Sequence, residues 1–307
     1  MREIVIGGAQ RGPIQKADSR EAAVQRMLTL LQQANDAGCT LVVFPELALT
    51  TFFPRHYMED QSEINSWFER EMPNTATQPL FDAARRFGIA ISFGYAELTA
   101  EGRHFNTSIL TDAQANIIAK YRKVHLPGHS EYDPERYFQH LEKRYFEPGD
   151  LGFPVWRSQQ AWMGMCICND RRWPETFRTM ALRGAEVFML GYNTPTRNIH
   201  HNEPVHLREH HHRLSLESAA YQNGAWVMAA GKCGAEDGFA MIGGSSIVSP
   251  TGETVTRAVT EEDEVISYNC DLDLGAYIRR SVFNFAKHRR PEFYSPITSQ
   301  IGVEIEE

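Results

Sequence analysis

Short apolar runs alternate with amphipathic segments along most of the chain. Residues 3–9 form an apolar run typical of a buried strand, and apolar positions then recur every three or four residues over 24–34, which predicts a helix lying on a sheet. Further strands are predicted at 41–44, 89–94, 105–110, 116–120, 163–168, 186–190 and 225–230. Further helices, each stopped by a glycine, are predicted at 77–87, 174–183 and 203–222. Two short strands at 245–249 and 264–270, separated by a turn at 249–252, are expected to pair and close the core.

The order of these elements indicates an α/β fold. Strands that alternate with helices favour a sheet with helices on its outer side. The strands at 89–94, 105–110 and 116–120 have no helix between them, so this part of the sheet is expected to be antiparallel. A chain of 307 residues is long enough for two domains, but no linker interrupts it, and we expect a single domain over 1–307.

Composition and charge narrow the range of partners. The net charge of −8 argues against nucleic acid, whose phosphates need a basic surface. No apolar stretch of 18 residues is present, so no membrane span is expected. The first ten residues lack the pattern of a secretion signal, and five cysteines without framework spacing suit a reducing compartment, so a cytoplasmic location is expected.

Cys168 ends the apolar run 163–167 and is followed by Arg171, Arg172 and then Pro174, a residue that favours the first turn of a helix. The thiol is therefore expected at a strand-to-helix elbow, facing the positive end of a helix dipole and two guanidinium groups. Both would lower its pKa below about 8.5 and make it an accessible nucleophile. The alternative is a cysteine that only fills space, as most free cysteines do.

Two other reactive side chains also follow predicted strands. Glu46 comes after the run 40–45, and Lys123 follows the strand at 116–120. Open α/β folds bind ligands where strands end, so a carboxylate, an ammonium and a thiol are expected to converge there. Taken singly, Glu46 could instead be a helix cap or surface ion pair, and Lys123 could belong to a basic surface stripe.

These segments resemble, in the right order, the three signature regions of the carbon-nitrogen hydrolase (nitrilase) superfamily. Wider matches resemble its D-carbamoylase branch, the N-carbamoyl-D-amino acid amidohydrolases, and they lie at 44–54, 120–129, 138–150, 169–175 and 191–195. The resemblance covers nearly the whole chain. It implies a four-layer α-β-β-α sandwich of two stacked mixed sheets, with no cofactor.

The resemblance also assigns roles to individual residues. Amide hydrolysis needs a nucleophile, a proton shuttle and a group that stabilises the oxyanion, and we assign these roles to Cys168, Glu46 and Lys123. Glu142 matches a second carboxylate near the lysine, although by itself it reads as a surface charge beside Lys143. The residues expected to bind substrate or support this cluster are His125, His129, His140, Asn169, Arg171, Arg172, Asn193 and Thr194.

The implied substrate is a small molecule that bears a carboxylate, because guanidinium groups such as those of Arg171 and Arg172 bind carboxylates in a bidentate manner. At least one of the two arginines should point into the pocket, while the other could pair with an acid of the fold. The implied reaction converts an N-carbamoyl-D-amino acid into the D-amino acid, carbon dioxide and ammonia through a cysteine-bound carbamoyl group. A β-ureidopropionase or another aliphatic amidase is the nearest alternative.

Two other classes of function stay open. A metal-dependent hydrolase is suggested by histidines crowded into one stretch, namely His200, His201, His206, His210, His211 and His212, although no HExxH motif is present. A non-catalytic binding protein is also possible, but it would not need all three reactive residues. The tail at about 283–307 mixes aromatic and basic residues, which favours a subunit interface in a homodimer or homotetramer.

Overall fold

The computed structural model describes residues 1–198 and 203–304, and the predicted alternation of strands and helices is present there. The strands are β1 (Glu3–Gln10), β2 (Leu41–Val43), β3 (Ala90–Leu98), β4 (His104–Thr111), β5 (Ile117–Arg122), β6 (Val155–Ser158), β7 (Ala161–Ile167), β8 (Val187–Tyr192), β9 (Trp226–Gly231), β10 (Cys233–Glu236), β11 (Phe239–Ile242), β12 (Ser246–Val248), β13 (Thr254–Arg257) and β14 (Glu264–Asp271). The helices are α1 (Arg20–Asp36), α2 (Gln61–Asn65), α3 (Gln78–Phe87), α4 (Glu142–Tyr145), α5 (Pro174–Leu182), α6 (Val205–Asn223), α7 (Leu272–Arg280), α8 (Phe285–His288) and α9 (Ser295–Ser299).

Two six-stranded mixed sheets carry the fold. The first sheet has the order β14-β1-β2-β3-β4-β5, and the second has the order β13-β12-β9-β8-β7-β6. In the first sheet β1, β2 and β3 are parallel, whereas β3, β4 and β5 are antiparallel, as the absence of helices between them predicts. In the second sheet β7, β8 and β9 are parallel.

The two sheets stack face to face and are covered by helices on their outer sides. Side chains cross from sheet to sheet: the Met228 side chain lies against Gly8, and the Ser92 hydroxyl contacts the Met165 sulfur at 3.7 Å. Buried residues of α1 and α3 pack on the first sheet, and those of α5 and α6 pack on the second. The four-layer α-β-β-α sandwich is therefore confirmed.

The pairing predicted for the last two strands is wrong. Residues 246–248 pair with β13 and β9 in the second sheet, whereas β14 pairs along its whole length with β1 in the first sheet. The turn at 249–252 instead joins β12 to the short polar strand β13, and these two strands form the hairpin. The chain then crosses between sheets through an acidic segment, where Asp263 accepts hydrogen bonds from Arg26 at 2.6 and 2.8 Å.

The C-terminal tail packs on the helices that cover the second sheet. Phe283 contacts the Tyr221 ring of α6, and the Arg178 guanidinium of α5 lies 4.3 Å from the centroid of the Phe285 ring. The tail and these helices also line a groove of about 720 Å³. Its place in a subunit interface stays a prediction, as does the single-domain organisation. Among the described residues, no helix is both long and apolar enough to cross a bilayer.

Candidate active site

The predicted reactive residues follow strands that end at the same edge of the sandwich. Because β2 and β5 run in the same direction, Glu46 and Lys123, which follow them, lie close together. Cys168 follows β7 directly, and Asn193 follows the adjacent parallel strand β8. All four residues are buried. The fold therefore brings together side chains that are up to 147 positions apart in the sequence.

Lys123 lies between two buried carboxylates. Its Nζ donates to Glu46 Oε1 at 2.7 Å and to Glu142 Oε2 at 2.6 Å. The other oxygen of Glu142 lies 3.0 Å from His140 Nε2, and Glu46 Oε1 also accepts from Asn106 Nδ2 at 2.7 Å. Each charged group is thus held by at least two partners, which fixes its orientation in a site without bulk water.

Asn193 connects the carboxylate to the thiol. Its backbone N–H donates to Glu46 Oε2 at 2.9 Å, and its carbonyl oxygen accepts from the Cys168 thiol at 3.5 Å. Its side-chain amide donates to the backbone oxygen of Glu46 at 2.9 Å. The end of β8 therefore sets the relative position of the groups to which the sequence assigns proton transfer and attack.

Two glycines allow the backbone of Glu46 to approach the sheets closely. A Cβ on Gly94 of β3 would lie 2.7 Å from Glu46 Cα, and a Cβ on Gly191 of β8 would lie 2.7 Å from the Glu46 nitrogen. Any larger residue at either position would displace the carboxylate. This explains why glycine interrupts two otherwise apolar strands.

The electrostatic state of Cys168 differs from the expectation. The residue is only 5% exposed, and a five-residue 3-10 turn, Cys168–Arg172, separates it from the start of α5. Burial, followed by the negative charge of Glu46, raises the pKa of the thiol, although Lys123 and Arg171 oppose this shift. The lowered pKa expected for a thiol at a helix terminus is therefore wrong, and a base is needed to activate the sulfur.

The Cys168 backbone adopts the left-handed conformation, with φ of 48°. This region is unfavourable for residues other than glycine, by about 1–3 kcal/mol. Asp170 holds the turn, because its buried carboxylate accepts from the Ile167 N–H at 2.9 Å and the Tyr121 hydroxyl at 2.7 Å. The strained turn directs the thiol away from the strand direction and toward Asn193.

The pKa values of the two carboxylates that flank Lys123 are shifted in opposite directions. Burial raises the pKa of Glu46, and the nearby charge of Glu142 adds to this effect, while Lys123 opposes it. Burial also disfavours the charged form of Glu142, but Lys123 and His140 outweigh it and hold its pKa below the usual value. Burial likewise disfavours the charged ammonium of Lys123, but the two carboxylates outweigh it and raise its pKa. Glu46 is thus the carboxylate better suited to exchange a proton.

Arg171 is buried beside the thiol, and no carboxylate among the described residues pairs with it. It donates to the Cys168 carbonyl oxygen at 2.6 Å and to Thr194 Oγ1 at 2.9 Å, and its Nη1 lies 3.8 Å from Cys168 Sγ. Its guanidinium lies over the Tyr192 ring, 5.3 Å from the centroid, and its Nε has no hydrogen-bond partner. A desolvated guanidinium with no anion beside it is costly, so a bound anion would complete this site.

A cavity of about 420 Å³ opens onto Cys168. The described residues that line the cavity include His140 and five lysine or arginine side chains, and they include no carboxylate. The basic residues are Lys143, Arg171, Arg172, Arg197 and Arg208. Asn169, Asn193 and Thr194 also line the cavity, as the sequence predicts. Arg172, unlike Arg171, is exposed, and no ion pair joins it to a described residue, contrary to the expectation that one of the two would pair with an acid of the fold.

The three histidines occupy different positions. His140 lines the cavity and contacts Glu142. His125 Nδ1 lies 2.8 Å from Asp170 Oδ1, and His129 Nε2 lies 3.2 Å from Gln139 Oε1, so both support the loops behind the site and neither lines the cavity. Asn169 Nδ2 donates to the His125 carbonyl at 3.1 Å, which joins the loop that follows Lys123 to the turn Cys168–Arg172. Direct substrate binding by His125 or His129 stays a prediction.

The histidine-rich segment does not assemble a metal centre among the residues that the structure describes. His211 Nδ1 lies 2.9 Å from Glu203 Oε1, and His212 packs against the Tyr192 ring. His206 and His210 line a separate small cavity of about 140 Å³. His200 and His201 lie outside the described residues.

Sequence reasoning missed three residues of the site. Asn106 contacts Glu46 from β4, Asp170 anchors the cysteine turn, and Arg208 enters the cavity from α6. Asp170 lies two residues after Cys168, within the segment that resembles a signature region of the superfamily, so its role in the site could have been recognised from the sequence. Asn106 and Arg208 carry no local signal, because their roles depend on which strand or helix the fold places beside the site.

This arrangement can perform nucleophilic acyl chemistry. The thiol provides a nucleophile, Glu46 provides a carboxylate of raised pKa to take its proton, and Lys123 provides a fixed positive charge for an oxyanion. The cavity beside them, of about 420 Å³, holds space for a small molecule.

Comparison with known proteins identifies the family. Residues 5–280 match the family model described as carbon-nitrogen hydrolase. The chain is 32% identical to a nitrilase from Pyrococcus abyssi, with 86% of this chain and 90% of the relative covered. It is 28% identical to an N-carbamoylputrescine amidase from Arabidopsis thaliana, with 98% and 97% covered. The crystal structure of a carbon-nitrogen hydrolase from Helicobacter pylori G27 superimposes with a TM-score of 0.84 at 26% identity, covering 97% of this chain and 99% of that one.

These relatives do not single out the D-carbamoylase branch. The superfamily that the signature segments indicate is confirmed, and so is the class of chemistry, hydrolysis of amide-type carbon–nitrogen bonds. The substrate is not fixed by these matches. The chain belongs to the carbon-nitrogen hydrolase family.

Proposed function

We propose that this protein hydrolyses N-carbamoyl amino acids, with the D-amino acid series as its substrates. One observation carries the proposal: the cavity that reaches Cys168 is lined by five basic side chains and, among the described residues, by no carboxylate. An N-carbamoyl amino acid keeps its α-carboxylate, and Arg171 and Arg172 are the groups suited to bind it.

The reaction follows from the contacts of each group. Glu46 takes the thiol proton as Cys168 attacks the ureido carbonyl, and Lys123 stabilises the oxyanion that forms. The carbon–nitrogen bond to the amino acid then breaks, the leaving nitrogen takes the proton from Glu46, and a carbamoyl thioester remains on Cys168. Glu46 next activates water, and the released carbamic acid decomposes to carbon dioxide and ammonia.

The charge of the cavity argues against a substrate like that named for the plant relative. N-carbamoylputrescine ends in a primary ammonium at neutral pH, and such a cation would meet five basic groups in this cavity. Like charges at close distance cost free energy, so this substrate should bind poorly. The D configuration is supported by the resemblance of residues 169–175 and 191–195 to D-carbamoylases. A β-ureidopropionase substrate also bears a carboxylate, and the experiment must include it.

The experiment measures ammonia release from N-carbamoyl-D- and L-phenylalanine, N-carbamoyl-β-alanine and N-carbamoylputrescine. We expect turnover of the D-phenylalanine derivative and little turnover of the other three. Preference for N-carbamoylputrescine would refute the proposal, and preference for N-carbamoyl-β-alanine would assign the alternative.

Variants test the nucleophile in the same assay. Cys168→Ala should lower kcat by at least about a thousandfold, because no other group can form the thioester. Cys166→Ala is the matched control, since Cys166 is equally buried two residues earlier on β7 and should keep most of the activity. Equal losses in the two variants would mean that the damage is structural.

A further inference from the structure

Arg208 adds a positive charge to the cavity that the proposed chemistry does not use. It projects from the first turn of α6, its side chain is 12% exposed, and it lines the cavity together with Cys168 and Arg171. Its Nε donates to the Pro195 carbonyl oxygen at 3.4 Å. Such a buried guanidinium normally has a carboxylate within hydrogen-bond distance.

No described carboxylate comes that close. The nearest ion-pair partner, Glu203, keeps its Oε2 3.7 Å from Arg208 Nη1. That carboxylate is already bound by other groups: Oε1 lies 2.9 Å from His211 Nδ1, and Oε2 accepts from Asn198 Nδ2 at 3.0 Å. Glu203 therefore offsets the charge of Arg208 only in part. Burial lowers the pKa of Arg208, the charge of Glu203 opposes this shift, and the charge of Arg171 adds to it.

The positive charges exceed what one carboxylate can offset. Arg171 lies 3.8 Å from the thiol and Arg172 lines the same cavity, and together they suffice for a bidentate α-carboxylate. Arg208 remains, and Arg197, which lies over the ring of Tyr137, also lines the cavity. A neutral substrate side chain placed against Arg208 would remove its remaining water without supplying an anion, which is unfavourable.

We propose that the substrate carries a second carboxylate in its side chain, which Arg208 binds, so that the preferred substrates are N-carbamoyl derivatives of acidic amino acids. This rests on the proposed function and narrows its substrate class. Leu126, Phe138 and Trp173 also line the cavity and would suit the aliphatic part of any side chain. These residues contribute apolar surface but do not offset the charge of Arg208.

The experiment compares isosteric pairs. The value of kcat/KM is measured for the N-carbamoyl derivatives of aspartate and asparagine, and of glutamate and glutamine, in both enantiomers, with N-carbamoyl-D-phenylalanine as a neutral reference. We expect the acid to exceed its amide by at least about tenfold in one pair, because a charge-assisted hydrogen bond is lost in the amide. In Arg208→Gln this ratio should fall toward one, and in Arg208→Lys it should be partly restored. Arg213→Gln is the matched control, since Arg213 is an exposed arginine of the same helix.

The possible results separate this inference from the function on which it rests. Hydrolysis of the amides or of the phenylalanine derivative at rates equal to or above those of the acids overturns the second-carboxylate proposal and leaves N-carbamoyl amino acid hydrolysis intact. An acid preference that persists in Arg208→Gln overturns the role of Arg208. Absence of turnover with every N-carbamoyl amino acid overturns both. The wild-type comparison decides the substrate class even if the Arg208 variants fold poorly.

Discussion

Asn193 binds Glu46 twice, through its backbone N–H to Oε2 and through its side-chain amide to the backbone oxygen, both at 2.9 Å. The first contact orients the carboxylate and the second fixes the chain that carries it. Because the carbonyl of Asn193 also accepts from the Cys168 thiol, a shift of this residue would alter the distance over which a proton is transferred.

Asn193→Ala should therefore lower kcat by about 10- to 100-fold with a smaller change in KM, since the group acts on geometry. It should also destabilise the fold by about 1–3 kcal/mol through the unpaired buried carbonyl of Glu46. Asn223→Ala is the control, because Asn223 is likewise buried and donates to the Ala219 carbonyl at 2.8 Å away from the site. Steady-state kinetics and urea unfolding on both variants would show whether kcat falls only in the first. A similar fall in both would remove the special role of Asn193.

The proton affinity of Glu46 predicts the acid side of the pH profile. Its pKa is raised by burial and by Glu142, so the basic form is lost at a higher pH than for an ordinary carboxyl group, whose pKa is about 4.3. The value of kcat/KM should fall as pH drops through this raised pKa. Glu142→Gln removes a negative charge that raises the pKa of Glu46. The acid limb of the profile, where kcat/KM falls as pH drops, should therefore move to lower pH.

Glu131→Gln, a change at an exposed glutamate in the segment between Lys123 and Glu142, should leave the limb where it is. A limb that moves to higher pH in Glu142→Gln, or does not move at all, would mean that Glu46 is not the group that titrates. The measurement is kcat/KM for one substrate from pH 4 to 8 in buffers of constant ionic strength.

The close approach of Gly94 to Glu46 predicts a steric effect. In Gly94→Ala the new Cβ would meet Glu46 Cα at 2.7 Å, so the loop after β2 must shift. A displacement of about 1 Å can cost about a hundredfold in rate, and kcat should fall accordingly. Gly302→Ala introduces a Cβ with no atom within 4 Å and should have no effect. Full activity in Gly94→Ala would show that Glu46 tolerates movement.

A buried ion cluster anchors the loop that follows Glu46. Glu236 accepts from Lys232 at 3.0 Å, Arg55 at 3.1 Å and the Phe52 N–H at 2.7 Å, while Lys232 also donates to the Thr50 carbonyl at 2.6 Å. Glu236→Gln would leave two buried cations without their carboxylate and should lower the free energy of unfolding by about 3–5 kcal/mol. Glu71→Gln, at an exposed position, should change it by less than about 0.5 kcal/mol. Urea unfolding would contradict the assignment if both changes were small.

The elements of the fold were largely predictable from local pattern, but not all of their pairings. The strand at β7 and the helix at α5 follow from an apolar run and a proline at the first helical position. The partner of β14 did not follow, because an eight-residue strand of mixed polarity can pair with any exposed edge. In the structure β14 pairs with β1. The turn at 249–252 gives no information about this partner, which lies more than 250 positions away in the sequence.

The order of strands and reactive side chains along the chain is enough to show which residues could react. Glu46, Lys123 and Cys168 each come after a strand, and strands of one direction end at one edge of a sandwich, so their convergence follows from pattern and topology. How these residues react depends on the folded arrangement around them. The raised pKa of the Cys168 thiol, the opposite pKa shifts of Glu46 and Glu142, and the incomplete pairing of Arg208 all depend on burial and on neighbouring groups. Electrostatic energies depend on surroundings rather than on residue type alone.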